Sequence, residues 1–350
     1  MNKQVVLITG ASGFIGTALI ARLKNKYYIV GIDKVLHKDR DNSVLWYKAD
    51  ISDKKFLHAT FCEIKENVAG KIDYVFHLAA YYDMLNEENK MYRETNENGT
   101  RYLLDNLIDF NVNNFIFTSS TAVLKPTMGD DKLNEKSALG SMLYYGKSKI
   151  AAEKILLEYK KRIKVAILRP SAVYSEDCRS IPLANKIAFI RRRSFVCRIF
   201  PGKGEGGLSY IHIEDVIDAL EKTMLMTKKI ASGSIFILSE EDYVPNNRLY
   251  GLIYSEIYGK HLNLIHLPKW FVRVFLYLIN NVYSLSGKSF FFKPWMVDIV
   301  DKKYRFNVDK AKKTLEWQPK FKLEQYMKVI IENHKNNTYR WLVINNINLG

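Results

Sequence analysis

The fold is decided by residues 5–16, which read VVLITGASGFIG. A short apolar run is followed by Gly10, Gly13 and Gly16, and a helical pattern then continues to Leu23. Glycines at this spacing permit a tight turn and let the backbone approach a pyrophosphate, whose charge is stabilised by the free N–H groups of a helix N-terminus. The stretch therefore predicts a strand, a turn and a helix that bind a dinucleotide.

A carboxylate ends the second apolar run. Residues 28–32 read YIVGI and lead into Asp33, about 20 residues beyond the glycines, where a carboxylate accepts hydrogen bonds from the adenosine ribose. Its charge would repel a 2′-phosphate, so Asp33 favours NAD over NADP. The neighbouring Lys34 leaves NADP open.

Apolar runs recur between helical patterns in the first half of the chain. They are apolar throughout instead of alternating, as expected for strands that helices cover on both faces. The pattern predicts a doubly wound parallel α/β sheet of the Rossmann type, formed by residues 1–173. The predicted strands are Val5 to Thr9, Tyr28 to Asp33, Tyr74 to Ala79, Asn114 to Ser119 and Lys164 to Pro170.

Beyond residue 173 the pattern loosens. It predicts a smaller mixed α/β substrate domain from residues 174–207 and 239–335, with residues 208–238 rejoining the first domain, and a loosely held tail at 336–350. Helices are expected at 182–193, 214–227, 246–258 and 268–285, and a strand at 234–238.

The last of these helices is apolar but falls short of the ~20 residues that span a bilayer, so no transmembrane segment is predicted. One apolar stripe follows it at helical spacing, which is typical of core or a pocket wall and only sometimes of a surface that contacts lipid. The stripe consists of Phe271, Phe275, Leu278, Val282 and Leu285.

Two side chains on a later helix suit acid-base chemistry. Tyr145 and Lys149 are four residues apart and share a helix face, where the ammonium is expected to lower the pKa of the phenol. A hydroxyl cluster at residues 118–121 follows a predicted strand, at the sheet edge where ligands bind. Ser120 in this cluster is expected to bond the substrate oxygen.

Further motifs lie in the same order along nearly the whole chain. With those above, they make the sequence resemble the extended short-chain dehydrogenase/reductases, nearest in pattern to the 3β-hydroxysteroid dehydrogenase and dihydroflavonol reductase members. The motifs are Asp50-Ile51, HLAA at 77–80, Asn96, LRPSAVY at 168–174, YIHIEDV at 210–216 and the closing pattern from Phe306 to Pro319.

The resemblance implies an NAD-dependent enzyme acting on a small molecule. By it Tyr145 is the acid-base residue, Lys149 holds the nicotinamide ribose, Ser120 orients the reacting oxygen, and Asn96 has a structural role. His77 and His212 are expected to be buried and hydrogen-bonded. The remaining cofactor contacts it implies are Ser12, Phe14 and Ile15 on the glycine turn, Asp50 and Ile51 beside the adenine, Leu78, Ala79 and Ala80 along the channel, and Pro170, Ala172 and Val173 beside the nicotinamide.

Composition and charge bear on the location of the protein and on the ligands that it can bind. The chain has 350 residues, 47% of them hydrophobic, and its first apolar run is too short for a signal peptide, so a cytoplasmic protein is expected. Three cysteines without metal-ligand spacing predict neither a metal site nor a disulfide framework. The net charge of +16 is spread along the chain, apart from the cluster Arg191 to Arg193 with Arg198 nearby. No motif predicts nucleic-acid binding, whereas an anionic substrate or peripheral membrane contact stays open.

The substrate class depends on departures from the family pattern. Thr121 and Ala122 follow Ser120, where 4,6-dehydratases carry an Asp-Glu pair, so dehydration is disfavoured. Many nucleotide-sugar epimerases carry an arginine that binds the substrate diphosphate at the position of Leu208, and leucine suits an apolar ligand better. We therefore expect a dehydrogenase or reductase of a bulky apolar secondary alcohol or ketone.

Two other functions stay open. A nucleotide-sugar epimerase is the first, because Arg169, Lys203 or the cluster Arg191 to Arg193 could replace the missing arginine. A non-catalytic dinucleotide-binding regulatory module is the second. A homodimer is expected by analogy, through a four-helix bundle for which six apolar residues are available: Leu103, Leu104, Leu107, Ile150, Ile155 and Leu156.

Overall fold

The structure is a computed structural model that describes residues 3–83, 86–127, 129, 131–192, 195–285, 287 and 290–347. Its strands, in chain order, are β1 (Val5–Thr9), β2 (Tyr28–Asp33), β3 (Leu45–Lys48), β4 (Tyr74–His77), β5 (Asn114–Thr118), β6 (Val165–Pro170), β7 (Ala172–Tyr174), β8 (Ile199–Pro201), β9 (Tyr210–His212), β10 (Ser234–Leu238) and β11 (Ile265–Leu267). Its α-helices are α1 (Phe14–Leu23), α2 (Lys54–Asn67), α3 (Thr100–Leu107), α4 (Tyr144–Tyr159), α5 (Ile181–Arg191), α6 (Ile213–Leu225), α7 (Asn246–Tyr258), α8 (Lys269–Leu285), α9 (Met296–Ile299), α10 (Asp309–Leu315), α11 (Leu323–Asn336) and α12 (Thr338–Ile344). A π-helical segment, Tyr92–Gly99, precedes α3.

Seven strands form one parallel sheet in the order β10–β6–β5–β4–β1–β2–β3. All five residues of β1 are buried, and this strand pairs with β2 on one side and β4 on the other. Side chains of the strands alternate between two apolar cores. One core contains residues of α1, α6 and α10, and the other contains residues of α2, α3 and α4. The predicted doubly wound parallel α/β sheet is therefore confirmed.

The strand order reverses between β1 and β4. In open parallel sheets such a reversal leaves a crevice at the carboxyl ends of the strands, where ligands bind. The glycine turn follows β1, residues 78–80 follow β4, and Ser120 comes shortly after β5. The topology therefore brings three predicted site segments to the same edge of the sheet.

A third core cluster lies outside the sheet. Residues of α5, α7, α11 and α12 pack together there, beside the short parallel pair of β7 and β9. Tyr174, Tyr250 and Trp341 are buried in this cluster. It occupies much of the predicted substrate domain, although the domain limits drawn from the sequence stay predictions.

One stretch packs away from its predicted domain. Residues 306–317 were expected in the substrate domain, yet Phe306, Leu315 and Trp317 belong to the core on the sheet. The indole N–H of Trp317 donates to the backbone oxygen of Asp215 at 2.9 Å, which fixes the stretch against α6. Ala311 and Leu315 of α10 are buried in this position, which explains the placement.

The expected loose tail is instead helical. α12 covers most of the described part of residues 336–350, and Trp341 packs edge-on against His334 with ring centroids 4.7 Å apart. Burial of a large aromatic ring is enough to order a terminal segment.

The helices proposed for dimerisation use their apolar faces internally. Leu103, Leu104, Leu107, Ile155 and Leu156 are buried in the core between α2, α3, α4 and the sheet, and Ile150 packs against the other core. The five buried residues are therefore not available to a partner, and the homodimer stays a prediction.

The apolar stripe of α8 meets the expectation of core or a pocket wall only in part, because Phe275 lines a cavity while most of the stripe faces outward. Phe271, Phe275, Leu278, Val282 and Leu285 are exposed, and only Val272 of this helix is buried. Within the described part of the chain, no helix is long and apolar enough to cross a membrane.

Arg193 of the arginine cluster lies outside the described residues.

Candidate active site

Two positions of the glycine turn require glycine because other backbone atoms lie very close to them. Gly10 has φ +69°, and a Cβ there would lie 2.7 Å from the backbone nitrogen of Ala79 at the end of β4. A Cβ on Gly16 would overlap the backbone oxygen of Gly10. Only glycine fits both positions, so β1, its turn and the segment after β4 meet in one place.

The start of α1 fits an anionic ligand. Gly13 caps this helix without a side-chain hydrogen bond, which leaves the N–H groups of the first turn to a ligand. Next to it, the hydroxyl oxygen of Ser12 is buried and has no hydrogen-bond partner among the described residues. Phe14 and Ile15, the other two residues predicted here, pack against the core. These groups suit the pyrophosphate of a dinucleotide.

Asp33 lies against the glycine turn. One carboxylate oxygen accepts a hydrogen bond from the backbone nitrogen of Ser12 at 3.0 Å, and the other accepts one from Val35 at 3.2 Å. Asp50 instead forms hydrogen bonds within its own loop. One of its carboxylate oxygens accepts from both the backbone nitrogen and the hydroxyl of Ser52. Ile51 is buried. Asp33 is thus the carboxylate that the fold brings to the dinucleotide turn.

The segment after β4 borders the same turn. Backbone nitrogens of Leu78 and Ala79 donate to Thr9, while Ala80 is exposed. His77 is buried, with its ring nitrogens 2.7 Å from the hydroxyl of Thr9 and 3.0 Å from that of Thr100. Burial, together with the charge of Lys149, lowers the pKa of His77 to about 3. His77 is therefore a neutral structural residue.

Lys149 points from α4 toward the end of β5. Its ammonium donates to the backbone oxygen of Thr118 at 2.9 Å and lies 4.5 Å from the ring centre of Phe117. The ring centre of Tyr145 is 5.8 Å away. Burial lowers the pKa of Lys149 to about 7, against the opposite effect of Glu153. Such a lysine exchanges protons near neutral pH.

The pKa of Tyr145 shifts opposite to the expectation. Burial raises it well above the usual range, and Tyr82 and Tyr92 add to the effect. The ring of Tyr82 packs edge-on against Tyr145, with centroids 4.9 Å apart. Because the ammonium of Lys149 is hydrogen-bonded to the carbonyl of Thr118, it does not offset the effect of burial on the pKa of Tyr145. The predicted lowering is therefore wrong for this structure.

A buried ion pair supports α4 one turn beyond Lys149. Both oxygens of Glu153 accept from the guanidinium of Arg169, at 2.9 and 2.6 Å, and the hydroxyl of Ser119 donates to the same carboxylate at 2.6 Å. Arg169 is thus committed to a structural pair. It is not the substitute for the missing substrate-binding arginine that the sequence left open.

Asn96 ties two parts of the site together. Its amide nitrogen donates to the hydroxyl of Ser148 on α4 at 2.8 Å, and its carbonyl oxygen accepts from the backbone nitrogen of Tyr81 at 2.7 Å. Asn96 lies in the π-helical segment, a form that is frequent near functional sites. It therefore positions both α4 and the segment that carries Tyr82.

Ser120 and Tyr145 line one cavity of about 180 Å³, which we call the catalytic cavity. The oxygen of Ser120 accepts from the backbone nitrogen of Ala122 at 3.1 Å, and within the described part of the chain its O–H has no acceptor, so it can donate to a ligand. Ala172 lines this cavity too. Pro170 is buried at the end of β6, and Val173 packs against the sheet core.

A second cavity of about 200 Å³ adjoins the first; we call it the substrate-domain cavity. Leu208, Trp295 and Ile299 line both cavities. The walls of the second are mainly aromatic and aliphatic, and its polar side chains include Lys186 and Asn246. Its other lining residues include Phe189, Val196, Phe200, Tyr250, Val272, Phe275, Leu276, Ile279, Phe292, Met296 and Val300.

Arg179 is a candidate that the sequence did not reveal. Its guanidinium lies 5.5 Å from the ring centre of Phe14, at the start of α1. Cys178 and Arg179 both have left-handed backbone, with φ 74° and 50°. Strained turns of this kind are frequent at binding sites. Neither spacing nor composition in this segment signals the contact.

The fold and the glycine turn define an α/β enzyme that binds a dinucleotide. Comparison with known proteins narrows this class, because the NAD dependent epimerase/dehydratase family matches residues 6–238. The chain belongs to this family. The membership confirms the resemblance drawn from the sequence and NAD as the cofactor.

Related proteins differ in what they act on. The chain is 28% identical to a dTDP-D-glucose 4,6-dehydratase of Dictyostelium discoideum, over 69% of this chain and 60% of that protein. It is 26% identical to the N-acetyl-α-D-glucosaminyl-diphospho-ditrans,octacis-undecaprenol 4-epimerase of Escherichia coli O157:H7, over 83% of each. It is 22% identical to the decarboxylating sterol-4-α-carboxylate 3-dehydrogenase of Mus musculus, over 93% of this chain and 90% of that protein.

A solved structure shares the fold. UDP-glucose 4-epimerase of Thermotoga maritima, determined with UDP-glucose, superposes with a TM-score of 0.72 at 22% identity and covers 95% of this chain and 99% of its own. This likeness concerns the fold alone.

Proposed function

We propose that the protein transfers hydride between NAD and a secondary alcohol carbon of a substrate that carries a large apolar group. One observation carries this proposal: the catalytic cavity adjoins an apolar cavity, and the two share wall residues that include Leu208. Apolar cavities with few polar groups are typical of sites for hydrophobic ligands. The leucine stands where many epimerases of nucleotide sugars carry a diphosphate-binding arginine.

The glycine turn, Ser12 and Asp33 would hold NAD, and when bound it supplies the ring that accepts hydride from the carbinol carbon. Ser120 would donate its free O–H to the substrate oxygen and so orient it. In ketone reduction Tyr145 would donate its phenolic proton, which its raised pKa keeps in place. In alcohol oxidation Tyr145 would have to release that proton to solvent and, as the phenolate, accept the hydroxyl proton of the substrate. Lys149 would stabilise the phenolate only after its ammonium leaves the carbonyl of Thr118, so the raised pKa of Tyr145 favours ketone reduction.

Epimerisation of a sugar is the second candidate, and the names of several relatives favour it. The same residues would serve, because an epimerase removes hydride and returns it to the opposite face of the carbon. The relative from E. coli O157:H7 is named for a sugar linked through a diphosphate to undecaprenol. Epimerisation of a lipid-linked sugar would agree with the names of these relatives, and the lipid would fit the apolar cavity. Dehydration stays disfavoured by Thr121 and Ala122.

Catalysis is tested by Tyr145→Phe, with Tyr144→Phe on the same helix as the matched control. We expect Tyr145→Phe to lower kcat at least a hundredfold while NAD affinity changes less than twofold, and Tyr144→Phe to keep most turnover. Turnover is followed through NADH absorbance with a sterol 3-alcohol and an isoprenoid alcohol, and through product analysis with UDP-N-acetylglucosamine. Undiminished turnover by Tyr145→Phe would refute the assignment. A regulatory module would bind NAD and turn over none of these compounds.

A further inference from the structure

Lys186 is a partly buried cation that lines an apolar cavity. It lies on α5 and lines the substrate-domain cavity, and its ammonium donates to the side-chain oxygen of Asn246 at 3.1 Å. Among the residues that the structure describes, no carboxylate forms an ion pair with it. Burial alone lowers its pKa to about 8. The catalytic scheme above makes no use of this group.

An ammonium held among aromatic and aliphatic walls is costly to bury without a counter-charge. The side-chain oxygen of Asn246 accepts from only one of the three N–H groups of Lys186. Pro182, one turn earlier on the same face of α5, lines both cavities. Lys186 therefore lies near the junction of the cavities, where a ligand reaching from Tyr145 into the apolar space would pass it.

We propose that the substrate-domain cavity binds an amphiphile whose anionic group contacts Lys186 and whose apolar chain lies among the aromatic walls. This inference rests on the proposed function and specifies its substrate class. A phosphate or a carboxylate would supply the same anionic contact. The polar end of the molecule would then extend into the catalytic cavity.

The test measures binding by isothermal titration calorimetry, without turnover. The probes are farnesyl diphosphate and palmitate as anionic amphiphiles, and farnesol as a neutral one. We expect Lys186→Met to weaken at least one anionic probe tenfold or more and to leave farnesol unchanged. Lys260→Met, at an exposed lysine, should leave all three unchanged. The probe that loses affinity identifies phosphate or carboxylate as the preferred group.

Equal binding of both anionic probes by wild type and Lys186→Met would overturn the inference, as would no binding by the wild type. A second variant, Asn246→Asp, places a carboxylate beside the ammonium and should produce the same selective loss. Thermal unfolding checks that each variant is folded. Tyr145→Phe should bind every probe normally, so failure of the catalytic assignment and failure of this inference give different results.

A separate observation concerns α8, which is apolar on two faces. Val272, Leu276 and Ile279 line the substrate-domain cavity. On another face Trp270, Val274, Tyr277 and Leu278 are exposed, each by more than half of its surface. Lys269 and Arg273 are the only charged residues in this 17-residue helix. Four large apolar side chains exposed together on one helix face are typical of an interaction surface.

The surroundings favour a membrane as the occupant of this face. Val196 lines the same cavity as α8, and the segment that contains it exposes Phe195 and Arg198. Arg191 and Arg192 at the end of α5 are exposed too. Aromatic and aliphatic side chains beside arginines suit the headgroup region of an anionic bilayer. We infer that α8 lies on such a bilayer, next to the cavity that takes the lipid chain.

Co-sedimentation with vesicles tests this surface. We expect the wild-type chain to bind phosphatidylcholine vesicles that contain phosphatidylglycerol. Val274→Glu with Leu278→Glu should reduce the bound fraction at least fivefold, whereas Leu225→Glu, at an exposed leucine on α6, should not. Equal binding by all three proteins, or no binding by the wild type, would overturn the inference. Self-association through α8, seen by light scattering and abolished by the double variant, would overturn it as well.

Discussion

The ring of Tyr82 lies edge-on to that of Tyr145, with the two centroids 4.9 Å apart. The ring of Tyr82 covers one side of the phenol. Burial raises the pKa of Tyr145 most, and charge repulsion from Tyr82 adds to the rise. A phenol in this state is a proton donor over the whole physiological pH range. The pair explains why a tyrosine beside a lysine does not have a lowered pKa here.

Removing the shield should change the pH profile. Tyr82→Ala admits water to Tyr145 and should lower its pKa, so that kcat for ketone reduction falls at lower pH than in the wild type, because the donor loses its proton sooner. Tyr82→Phe keeps the ring and loses only the charge effect of the hydroxyl, so its profile should lie closer to that of the wild type. The measurement is kcat against pH from 7 to 10.5. An unchanged alkaline limb in Tyr82→Ala would contradict the argument.

Lys149 should make stability depend on pH. Its folded pKa of about 7 lies below the usual value of 10.5, so the unfolded chain binds more protons between these values and the free energy of unfolding rises with pH across that window. Below about pH 7 the cost of the buried charge is fully present. Lys149→Met should show a smaller rise, measured by urea unfolding from pH 7 to 9.5 without NAD. Lys160→Met, at an exposed lysine, is the control. A rise in Lys149→Met equal to that of the wild type would show that another group causes it.

Glu153 should matter far more to stability than a surface glutamate. Glu153→Gln leaves the buried guanidinium of Arg169 without its counter-charge, which costs about 3–5 kcal/mol. The exposed pair of Glu158 with Arg101, at 3.0 Å, offers the matched control. Glu158→Gln should cost about 0–1 kcal/mol. Urea denaturation measures both, and similar losses in the two variants would refute the distinction.

Arg179 should bind the phosphates of NAD. Its guanidinium lies near the N-terminus of α1, and we expect Arg179→Met to weaken NAD about tenfold, as the loss of one charge-assisted contact would. Adenosine, which lacks phosphates, should bind both proteins equally. Arg192→Met, at an exposed arginine, should have no effect. Equal loss of adenosine and NAD would instead indicate that the turn had been disrupted.

Leu208 should separate the two substrate classes. Leu208→Arg places a cation at the wall shared by both cavities, so UDP should bind more tightly and farnesol at least tenfold more weakly. Leu208→Met, which keeps the wall apolar, should resemble the wild type. Calorimetry with both ligands measures the change. Tight UDP binding by the wild type would favour a nucleotide-sugar epimerase instead.

Several features of the site could be predicted because they depend on local chemistry. Gly16 is required by contacts with Gly10 and Ala11 in its own turn, Gly10 has a positive φ, and Tyr145 and Lys149 share a face because a helix repeats every 3.6 residues. Their catalytic role stays a prediction. Arg169 could not be assigned in the same way, because its partner Glu153 comes from another element.

The sequence by itself determined the parallel sheet, the dinucleotide turn and the family, since continuous apolar runs and the glycine spacing of a turn are local features of the chain. Only the tertiary structure decided the direction of the Tyr145 pKa shift, the return of residues 306–317 to the sheet and the exposure of α8. It alone placed Lys186 in an apolar cavity beside the catalytic one. Burial, and the electrostatics that follow from it, depend on which distant segments meet, and a linear pattern does not encode this directly.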